Sequence, residues 1–324
     1  MTCAIVILNW NGRGLLQHFL PSVVAHTTEA QVYVVDNAST DDSVAFLVEN
    51  FPTVSVIQNS ANLGYAGGYN SALQYISADV YCLLNSDVRV TEGWLRPILP
   101  LFENPEVAVV QPKIKDEKCP AYFEYAGAAG GYIDKYGFPY CRGRVFDTIE
   151  EDKGQYNSPS PCSIFWASGA CFFVRAEVFR ELGGFDEDFF AHQEEIDLCW
   201  RVHHKGKQVL CCPESEVYHV GGATLTAANP RKTYLNFRNS LFMLLKNLPD
   251  ERLYSTLFVR MVLDGVAGVR FLLQGKPRLL WAVVKAHFGF YGSFFKFKKK
   301  RPTTFFADYY QTKSVVWRHF VANK

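Results

Sequence analysis

The first hundred residues alternate between short apolar runs and segments in which apolar residues recur at helical spacing. The apolar runs are residues 3–10, 31–39, 54–59 and 79–87. Each run has the length of a strand that is buried on both faces, and each ends in polar residues. The segments between the runs predict helices, the second of which begins at Thr40 or Asp41, both good N-cap residues. Strands and helices that alternate at this spacing predict βαβ units and a parallel sheet.

The pattern changes after about residue 107. A further strand is predicted over 107–114, whereas residues 119–162 are rich in Gly, Pro, Tyr and Cys and indicate loops and short hairpins. The remaining elements are a strand passing into a helix over 165–182, two short strands over 207–212 and 215–222, and long helices after Pro230. The sequence therefore predicts two parts, an α/β domain over 1–228 and a helical region over 229–324.

Polar residues follow the predicted strands at the points where the strands end. They are Asn9 to Asn11, Asp36 and Asn37, Asn59 to Asn62, and Asn85 to Asp87. In open α/β sheets, ligands bind beyond the carboxyl ends of the strands. The topology alone therefore predicts a ligand site along this rim.

Charge is unevenly distributed along the chain, although the net charge is only +1. From Asp250 onward there are fourteen Lys and Arg against four Asp and Glu, which gives +10 and leaves −9 for the rest. The overall balance argues against a nucleic-acid-binding protein, while the basic end suggests an anionic partner surface.

Residues 250–301 combine apolar and basic side chains, but charged residues interrupt every run that approaches the ~18 residues of a spanning helix. Two interpretations follow. The region is either a helix lying in a membrane surface near anionic lipids, or a helical bundle that packs on the first domain or on a second subunit.

The nine cysteines are odd in number and have no metal-ligand spacing. Met1, Thr2 and Cys3 lead straight into a predicted strand, which leaves no room for a secretory signal at this end. We therefore expect reduced thiols and a cytoplasmic protein, with any membrane contact at the inner face of the cytoplasmic membrane.

Acidic residues crowd the segment before and within a predicted helix near residue 195. They include Asp186, Asp188, Glu194, Glu195 and Asp197. Like charges this close repel one another, so either solvent and the helix macrodipole accommodate them or a chemical task uses them. The functional interpretation is a general base that points into the rim.

Two other residues have chemistry to offer at strand ends. Asp87 is a hard oxygen ligand suited to Mg²⁺ or Mn²⁺, although a lone Asp there is more often a turn former. His219 precedes two glycines and is either structural or a ligand. Gly64, Gly67 and Gly68 do not match a dinucleotide fingerprint, but they would let the backbone approach a diphosphate.

Taken in order, these motifs resemble the nucleotide-sugar glycosyltransferases of family 2, which have the GT-A fold. The motifs are VILNWN, VYVVDNASTDDS, NLGYAGGYN, LLNSDV, GACFFVRAEVFRELGGFDEDFF, EEIDLCWR and YHVGG. The resemblance extends from Cys3 to about Leu245 and is strongest to rhamnosyltransferase-like and galactofuranosyltransferase-like bacterial members. It implies a mixed, mostly parallel sheet with flanking helices, followed by the C-terminal helical region.

The resemblance also implies an activity, which is inverting transfer of a sugar from a nucleoside diphosphate to a hydroxyl group. The acceptor would be a glycan or a lipid-linked glycan of cell-surface polysaccharide synthesis, the suggested sugar is rhamnose, and the cofactor is Mg²⁺ or Mn²⁺. A homo-oligomer and peripheral membrane contact through 250–301 are further expectations.

Site residues are carried over by position. The donor-binding residues are Leu8, Asn9, Trp10, Asp36, Asn62, Gly64, Gly68, Asn70, Asn85, Ser86 and Asp87. Asp87 and His219 would bind the metal, Glu195 would be the catalytic base, and the sugar or acceptor would contact Trp166, Ser168, Gly169, Glu194 and Asp197. For Trp166 a place in the core is an equally good interpretation.

Two positions depart from the family pattern. Asn85 replaces the first acid of Asp-x-Asp, which removes a charge from the metal side, and Glu195 replaces an Asp. The alternative is a catalytically weak glycan- or nucleotide-binding module on the same fold. A nucleotidyltransferase ranks last, because the loop around Arg13 lacks the expected glycine-rich pattern.

Overall fold

A computed structural model gives the fold and describes residues 1–158, 160–221 and 229–322. The strands are β1 Cys3–Asn9, β2 Gln31–Asp36, β3 Ser55–Gln58, β4 Val80–Asn85, β5 Val88–Val90, β6 Val107–Asp116, β7 Gly131–Asp134, β8 Pro139–Cys141, β9 Arg144–Val145, β10 Thr148–Ile149, β11 Cys162–Ser163, β12 Cys171–Arg175, β13 Gln208–His219 and β14 Tyr310–Thr312. The helices are α1 Arg13–Ala25, α2 Ser43–Asn50, α3 Gly64–Leu73, α4 Ala176–Glu181, α5 Glu194–His204, α6 Pro230–Asn247, α7 Asp250–Leu273, α8 Pro277–Lys298 and α9 Val315–Phe320.

The main sheet has the order β11-β13-β6-β12-β4-β1-β2-β3, and β5 pairs with β13. Strands β3, β2, β1 and β4 run parallel, as do β6 and β13. Strand β12 is antiparallel to both of its neighbours, β4 and β6. The expected α/β fold, a mixed and mostly parallel sheet with flanking helices, is confirmed.

Both faces of this sheet are covered, as the continuous apolar strands require. Along β1, Ile5 and Ile7 pack into the core beneath α1 and α2, whereas Ala4 and Val6 pack into the core beneath α3 and α5. A strand with apolar residues at both parities is stable only when helices cover both faces.

Strand β13 differs from the two short strands that the sequence predicted. It is one strand, and its register against β6 shifts between Cys212 and Glu216, around Pro213. Proline cannot donate to the strand ladder, so the irregularity absorbs it without ending the strand. The last residue of β13, His219, is thereby placed opposite Val88, one residue beyond Asp87.

A second sheet has the order β10-β9-β8-β7-β14. Strands β7 to β10 form the hairpins predicted within 119–162. Strand β14 was not predicted: it comes from the end of the chain and adds parallel to β7. The C-terminal region thus contributes a strand as well as helices.

The helices after Pro230 share one hydrophobic core with the first domain, since Leu241 and Phe290 pack in the same cluster as Trp200. The predicted domain boundary between 228 and 229 adjoins residues 222–228, which lie outside the described residues. The second of the two glycines that follow the His219 motif, Gly222, lies outside them too. The division into two parts stays a prediction.

Helices α7 and α8 form an antiparallel hairpin around a buried charge pair. The guanidinium of Arg260 donates to Asp264 at 2.8 Å and to the Gly137 carbonyl at 3.0 Å, and His287 of α8 lies 3.4 Å from Asp264. Among the described helices, α7 and α8 included, none combines the length and hydropathy needed to cross a bilayer.

Candidate functional site

The polar residues that end the parallel strands lie together at one edge of the sheet. Asn9 is in register with Asp36, and Leu8 with Asn85. The backbone N–H of Asn37 donates to the Asn9 carbonyl at 2.8 Å, which continues the ladder beyond the strand ends. The rim predicted from topology is therefore present.

The start of the rim is organised by Asp36. One carboxylate oxygen accepts from the Asn9 amide at 3.1 Å, and the other accepts from the Ser39 backbone N–H at 2.9 Å. The side-chain oxygen of Asn9, Oδ1, is buried without a hydrogen-bond partner among the described residues. Trp10, 49% exposed, follows it. An aromatic ring beside fixed polar groups is a suitable surface for a nucleoside.

The glycine-rich loop is held by Asn37, whose role was not anticipated. Its amide donates to the side chain of Asn62 at 3.1 Å and to the Gly64 carbonyl at 3.0 Å. Its carbonyl oxygen accepts from the Asn59 amide at 3.1 Å and from the Leu63 backbone at 3.2 Å. One buried side chain thus fixes the loop against the rim.

Two glycines of this loop permit close approach. Gly64 has φ +72°, and a Cβ there would lie 2.5 Å from the carbonyl oxygen of Phe190. A Cβ at Gly68 would lie 2.9 Å from the Leu8 side chain. The loop therefore packs against β1 on one side and against the segment that precedes α5 on the other.

Asn70 does not point along the same rim. Its amide donates to the Phe185 carbonyl at 2.8 Å and to Glu187 at 3.1 Å, and its oxygen accepts from the Phe185 backbone at 2.9 Å. These bonds use the amide to fix the turn before α5, so its surroundings do not fit the expected donor contact.

Beyond β4, Asn85 and the half-buried Ser86 lead to Asp87, which meets His219 from the end of β13. The His219 Nε2 lies 3.1 Å from Asp87 Oδ1 and 3.4 Å from the Asn85 amide nitrogen, and Nδ1 lies 3.3 Å from Glu124 Oε1. Burial alone would lower the pKa of His219, but the carboxylates of Asp87 and Glu124 raise it to about 10.

This group has the chemistry of a small divalent-cation site. No three or more His, Cys, Asp or Glu side chains are grouped as metal ligands within the described ranges. Mg²⁺ usually needs only one or two protein carboxylates, because substrate phosphates complete its coordination. Asp87 and His219 fit that requirement. A second carboxylate, from Glu124, faces the other ring nitrogen, as is usual for metal-binding histidines.

The acid Asp197 is fully buried in a cluster of cations. Its oxygens accept from Arg201 and Lys246 at 2.8 and 2.9 Å and from the Asn247 amide at 2.8 Å. Burial alone would raise the pKa of Asp197, but Lys246 and Arg201 hold it well below its ordinary range. With both oxygens paired and the side chain inaccessible, Asp197 does not fit the expected contact with an acceptor.

The upstream acids are paired in the same way. Asp186 accepts from Lys246 at 2.9 Å and from Lys300 at 2.6 Å. Asp188 accepts from Lys296 at 2.7 Å and from Lys300 at 2.6 Å. Lysines of the C-terminal region therefore neutralise three of the clustered acids, Asp186, Asp188 and Asp197.

Two further acids, Glu194 and Glu195, begin α5. In each, Oε2 is inaccessible and has no hydrogen-bond partner among the described residues. Burial raises the pKa of Glu195 to about 7, against the lowering effect of nearby backbone N–H groups. Burial and the neighbouring Glu195 raise the pKa of Glu194 well above its ordinary value. A carboxyl group with a pKa near 7 is suited to accept a proton at neutral pH.

The backbone that delivers these glutamates is strained, because Phe190, His192 and Gln193 all have positive φ, from 64° to 75°. Buried Asn239 of α6 holds this segment through its amide, which lies 2.9 Å from the carbonyls of Phe189 and Ala191 and 2.8 Å from that of His192. Helix α6 therefore fixes the approach to Glu195.

A third segment, 166–170, joins the acids to the end of β4. The Ala170 carbonyl accepts from the Asn85 backbone at 3.0 Å, and the Gly169 carbonyl accepts from the Tyr65 hydroxyl at 2.8 Å. Burial raises the pKa of Tyr65 well above its ordinary value, and the charges of Tyr69, Glu194 and Glu195 add to this. Tyr65 thus lies within electrostatic reach of the glutamates, and segment 166–170, the wall of the candidate site, is bonded both to Tyr65 and to Asn85 at the end of β4.

Within that segment, Trp166 is in the core. It is 4% exposed, and its indole N–H donates to the Tyr132 carbonyl at 2.8 Å. The Ser168 backbone N–H donates to Gln111 at 2.7 Å, and its hydroxyl donates to the Ala126 carbonyl. Both side chains therefore support the wall from behind, whereas Gly169 faces Tyr65.

Sequence reasoning missed the residues that brace the site. Glu124 lies in the loop-rich segment, while Asn239 and Lys246 lie on α6, more than forty residues beyond the groups they contact. The only signal for Lys246 was a lysine inside an apolar helical pattern, where an unpaired cation is costly.

Comparison with known proteins adds to this geometry. A family model described as Glycosyl transferase family 2 matches residues 4–183. The chain is 25% identical over 254 residues to the N-acetylglucosaminyl-diphospho-decaprenol L-rhamnosyltransferase of Mycobacterium tuberculosis. The aligned residues cover 71% of this chain and 82% of that protein.

Solved structures share the fold. GalNAc-T7 with UDP, GalNAc and Mn²⁺ has a TM-score of 0.60 at 17% identity, over 77% of this chain and 48% of that chain. The mannosyltransferase PcManGT of Pyrobaculum calidifontis, in complex with GDP-Man and Mn²⁺, has a TM-score of 0.55 at 13% identity. The match covers 89% of this chain and 86% of that chain. Identities this low show the fold alone.

The clamp on the strained segment can be tested with Asn239→Ala. We expect the free energy of unfolding to fall by about 1–3 kcal/mol, because buried carbonyls lose their donor. Backbone amides of 189–193 should also exchange hydrogen faster. Asn50→Ala is the control: its amide donates to the Phe46 carbonyl at the exposed end of α2, so its effect should stay within about 0.5 kcal/mol. Equal effects of the two substitutions would contradict the clamp.

Proposed function

The chain belongs to glycosyl transferase family 2, and we propose that it transfers a sugar, with inversion, from a nucleoside diphosphate to a hydroxyl group of a glycan or lipid-linked glycan. The observation that carries the proposal is the sorting of the clustered acids. Three are neutralised by lysines, while Glu194 and Glu195 are left with unpaired oxygens beside the wall that leads to Asp87.

The reaction assigns a task to each end of the site. An acceptor hydroxyl must lose its proton as its oxygen attacks the anomeric carbon, and Glu195 would take that proton. The nucleoside diphosphate leaves on the opposite side of the sugar, toward Asp87. Because attack and departure occur on opposite faces, the configuration at the anomeric carbon inverts.

Asp87 and His219 would hold Mg²⁺ or Mn²⁺, with Glu124 keeping the imidazole oriented. When bound, the cation stabilises the negative charge that develops on the leaving diphosphate. The protein groups contribute the rest: Asn9, Asp36 and Trp10 form the nucleoside surface, and the loop held by Asn37 lies beside it.

The relatives suggest the substrates. The mycobacterial relative is named as a rhamnosyltransferase acting on a lipid diphosphate sugar, so we propose rhamnose as the sugar and a lipid-linked glycan as the acceptor. A lipid-linked acceptor would place the enzyme at a membrane surface, with synthesis of cell-surface polysaccharide as its process.

The alternative is a catalytically weak binding module on the same fold. Asn85 favours it, because an amide in place of a carboxylate lowers the negative charge at the metal side. The elevated pKa of Glu195 and the Asp87–His219 pair favour the enzyme. Screening nucleotide sugars for release of nucleoside diphosphate distinguishes the two.

Glu195→Gln tests the base. We expect turnover to fall by about 10²–10⁴-fold, because the amide cannot accept the proton, while donor affinity is retained. Turnover would be measured as released nucleoside diphosphate and donor affinity by calorimetry. Glu177→Gln, at an exposed acid of α4, is the matched control and should change neither quantity. A Glu195→Gln protein with near-normal turnover would refute the assignment.

The pH dependence of kcat follows from the same residue. Because the base works only when ionised and its pKa is about 7, kcat should rise as pH increases toward 7 and level off above it. The residual rate of Glu195→Gln should lack this limb. A wild-type profile that is flat between pH 5 and pH 8 would count against Glu195 as the base.

Metal dependence is tested by chelation and by direct binding. EDTA should abolish nucleoside diphosphate release, and Mn²⁺ or Mg²⁺ should restore it. His219→Ala should weaken Mn²⁺ binding in the presence of nucleoside diphosphate by at least ~10-fold, measured by electron paramagnetic resonance. Glu124→Gln should weaken the same binding by at most ~10–100-fold. Unchanged Mn²⁺ affinity in His219→Ala would remove that residue from the site.

A further inference from the structure

Helices α7 and α8 present an apolar face to solvent that no described part of the chain covers. Along α7 its exposed residues are Tyr254, Phe258, Val262, Val266, Val269, Leu272 and Leu273. Along α8 they are Trp281, Phe288, Tyr291 and Phe295. Apart from the adjacent pair Leu272 and Leu273, the intervals are three, four and seven residues, which places each set on one side of its helix. The α7 stripe alone is about 30 Å long at ~1.5 Å per residue.

The two stripes lie side by side and form one surface, the α7–α8 face. At one end the Lys298 ammonium donates to the Tyr254 hydroxyl at 3.4 Å. In the middle the Tyr291 hydroxyl lies 3.2 Å from the Met261 sulfur. Apolar patches of this extent on a protein surface mark interaction sites.

Charge on and around this face is positive. Between residues 252 and 307 there are eleven Lys and Arg and one acid, Asp264, which is fully buried against Arg260. Over the described ranges, no ion pair joins Arg278, Lys285, Lys298 or Lys299 to a carboxylate. Lys285 lies over the exposed ring of Trp281 instead.

We infer that the α7–α8 face docks on an anionic lipid bilayer. Aromatic and aliphatic side chains flanked by unpaired lysines match the two components of such a surface, the acyl boundary and the acidic headgroups. Trp and Tyr on the face suit the level of the headgroups. The inference deepens the proposed function, and rests on it for its purpose, because a lipid-linked acceptor would be met at that surface.

A second copy of the chain is the competing occupant, and the charges disfavour it. In a two-fold interface the same patch faces itself, so the basic patch that contains Lys285, Lys298 and Lys299 would face an equally basic patch without a neutralising acid. Lysine is also depleted from protein interfaces. The charge is complementary to a bilayer and not to itself.

Helix α8 also connects this face to the candidate site. Lys296 and Lys300, at its C-terminal end, pair with Asp188 and Asp186, just before the segment that leads to Glu195. Docking would therefore hold the catalytic end of the molecule at a fixed height above the headgroups, without a flexible linker.

The test is co-sedimentation of the full chain with phosphatidylcholine vesicles, with and without phosphatidylglycerol. We expect binding to the vesicles that contain phosphatidylglycerol, weakened by high salt. Phe288→Ser with Phe295→Ser should reduce partitioning by about tenfold per residue. Lys298→Gln with Lys299→Gln should reduce it by about fivefold per residue, on the anionic vesicles only.

The matched control is Val48→Ser with Tyr75→Ser, two exposed apolar residues outside the face, which should leave partitioning unchanged. Circular dichroism and the unfolding midpoint confirm that each variant is folded. Partitioning that the Phe288→Ser, Phe295→Ser chain retains in full would overturn the inference. A second result would also overturn it: the wild type is a dimer by light scattering, these substitutions convert it to a monomer, and neither form binds vesicles.

Vesicle binding needs no catalysis, so the two proposals fail separately. Glu195→Gln should bind vesicles as the wild type does. If vesicles bind and no nucleotide sugar is turned over, the docking face stands and the proposed reaction does not. If a soluble acceptor is turned over and the protein does not bind vesicles, the proposed reaction stands and the docking face does not.

Discussion

The structure depends on how the charge of the acids clustered between residues 186 and 197 is neutralised. Carboxylates this close cannot all be buried ionised unless cations approach them, and the nearby chain supplies only Arg201. Lys246, Lys296 and Lys300 come from the C-terminal helices and pair with three of the acids. The two glutamates left over keep unpaired oxygens and an elevated pKa. The C-terminal region is therefore part of the candidate active site, because it determines which acids remain reactive.

The same region controls the backbone. Three residues with positive φ precede α5, and such strain persists only where surrounding contacts fix it. Asn239 supplies those contacts from α6, while the Phe190 carbonyl accepts from Tyr65 at 2.8 Å on the other side. The glycine-rich loop and the segment that leads to Glu195 thus meet at one peptide group.

Much of the fold could be predicted because its signals are local. Continuous apolar runs identify strands buried on both faces, and parallel topology gathers their polar ends, so Asn9, Asp36 and Asn85 meet at one rim. Motif order was sufficient to identify the family. The sequence predicts two strands on either side of Pro213 because the missing N–H of proline is visible in a local pattern. The shift in pairing that lets β13 continue as one strand is not.

What could not be predicted depends on contacts between distant residues. Nothing near Asp197 shows that Lys246 neutralises it, so it was placed beside an acceptor together with its neighbours. Glu124 carries no motif, and its position depends on how the loop after β6 folds back toward His219. From the sequence, Trp166 could face either the core or a cleft, because an apolar strand pattern does not show which face of the strand packs against the rest of the protein.

Strand β14 has a consequence for how the protein is made. Residues 310–312 close the free edge of β7, so the second sheet has an open edge until the chain has been synthesised through residue 312. The hairpins of 131–149 must wait through the synthesis of α5 to α8 before that edge is paired. Completion of this sheet therefore depends on a segment that is made long after β7, and a stop codon shortly before Tyr310 would leave an unpaired strand exposed to other nascent chains.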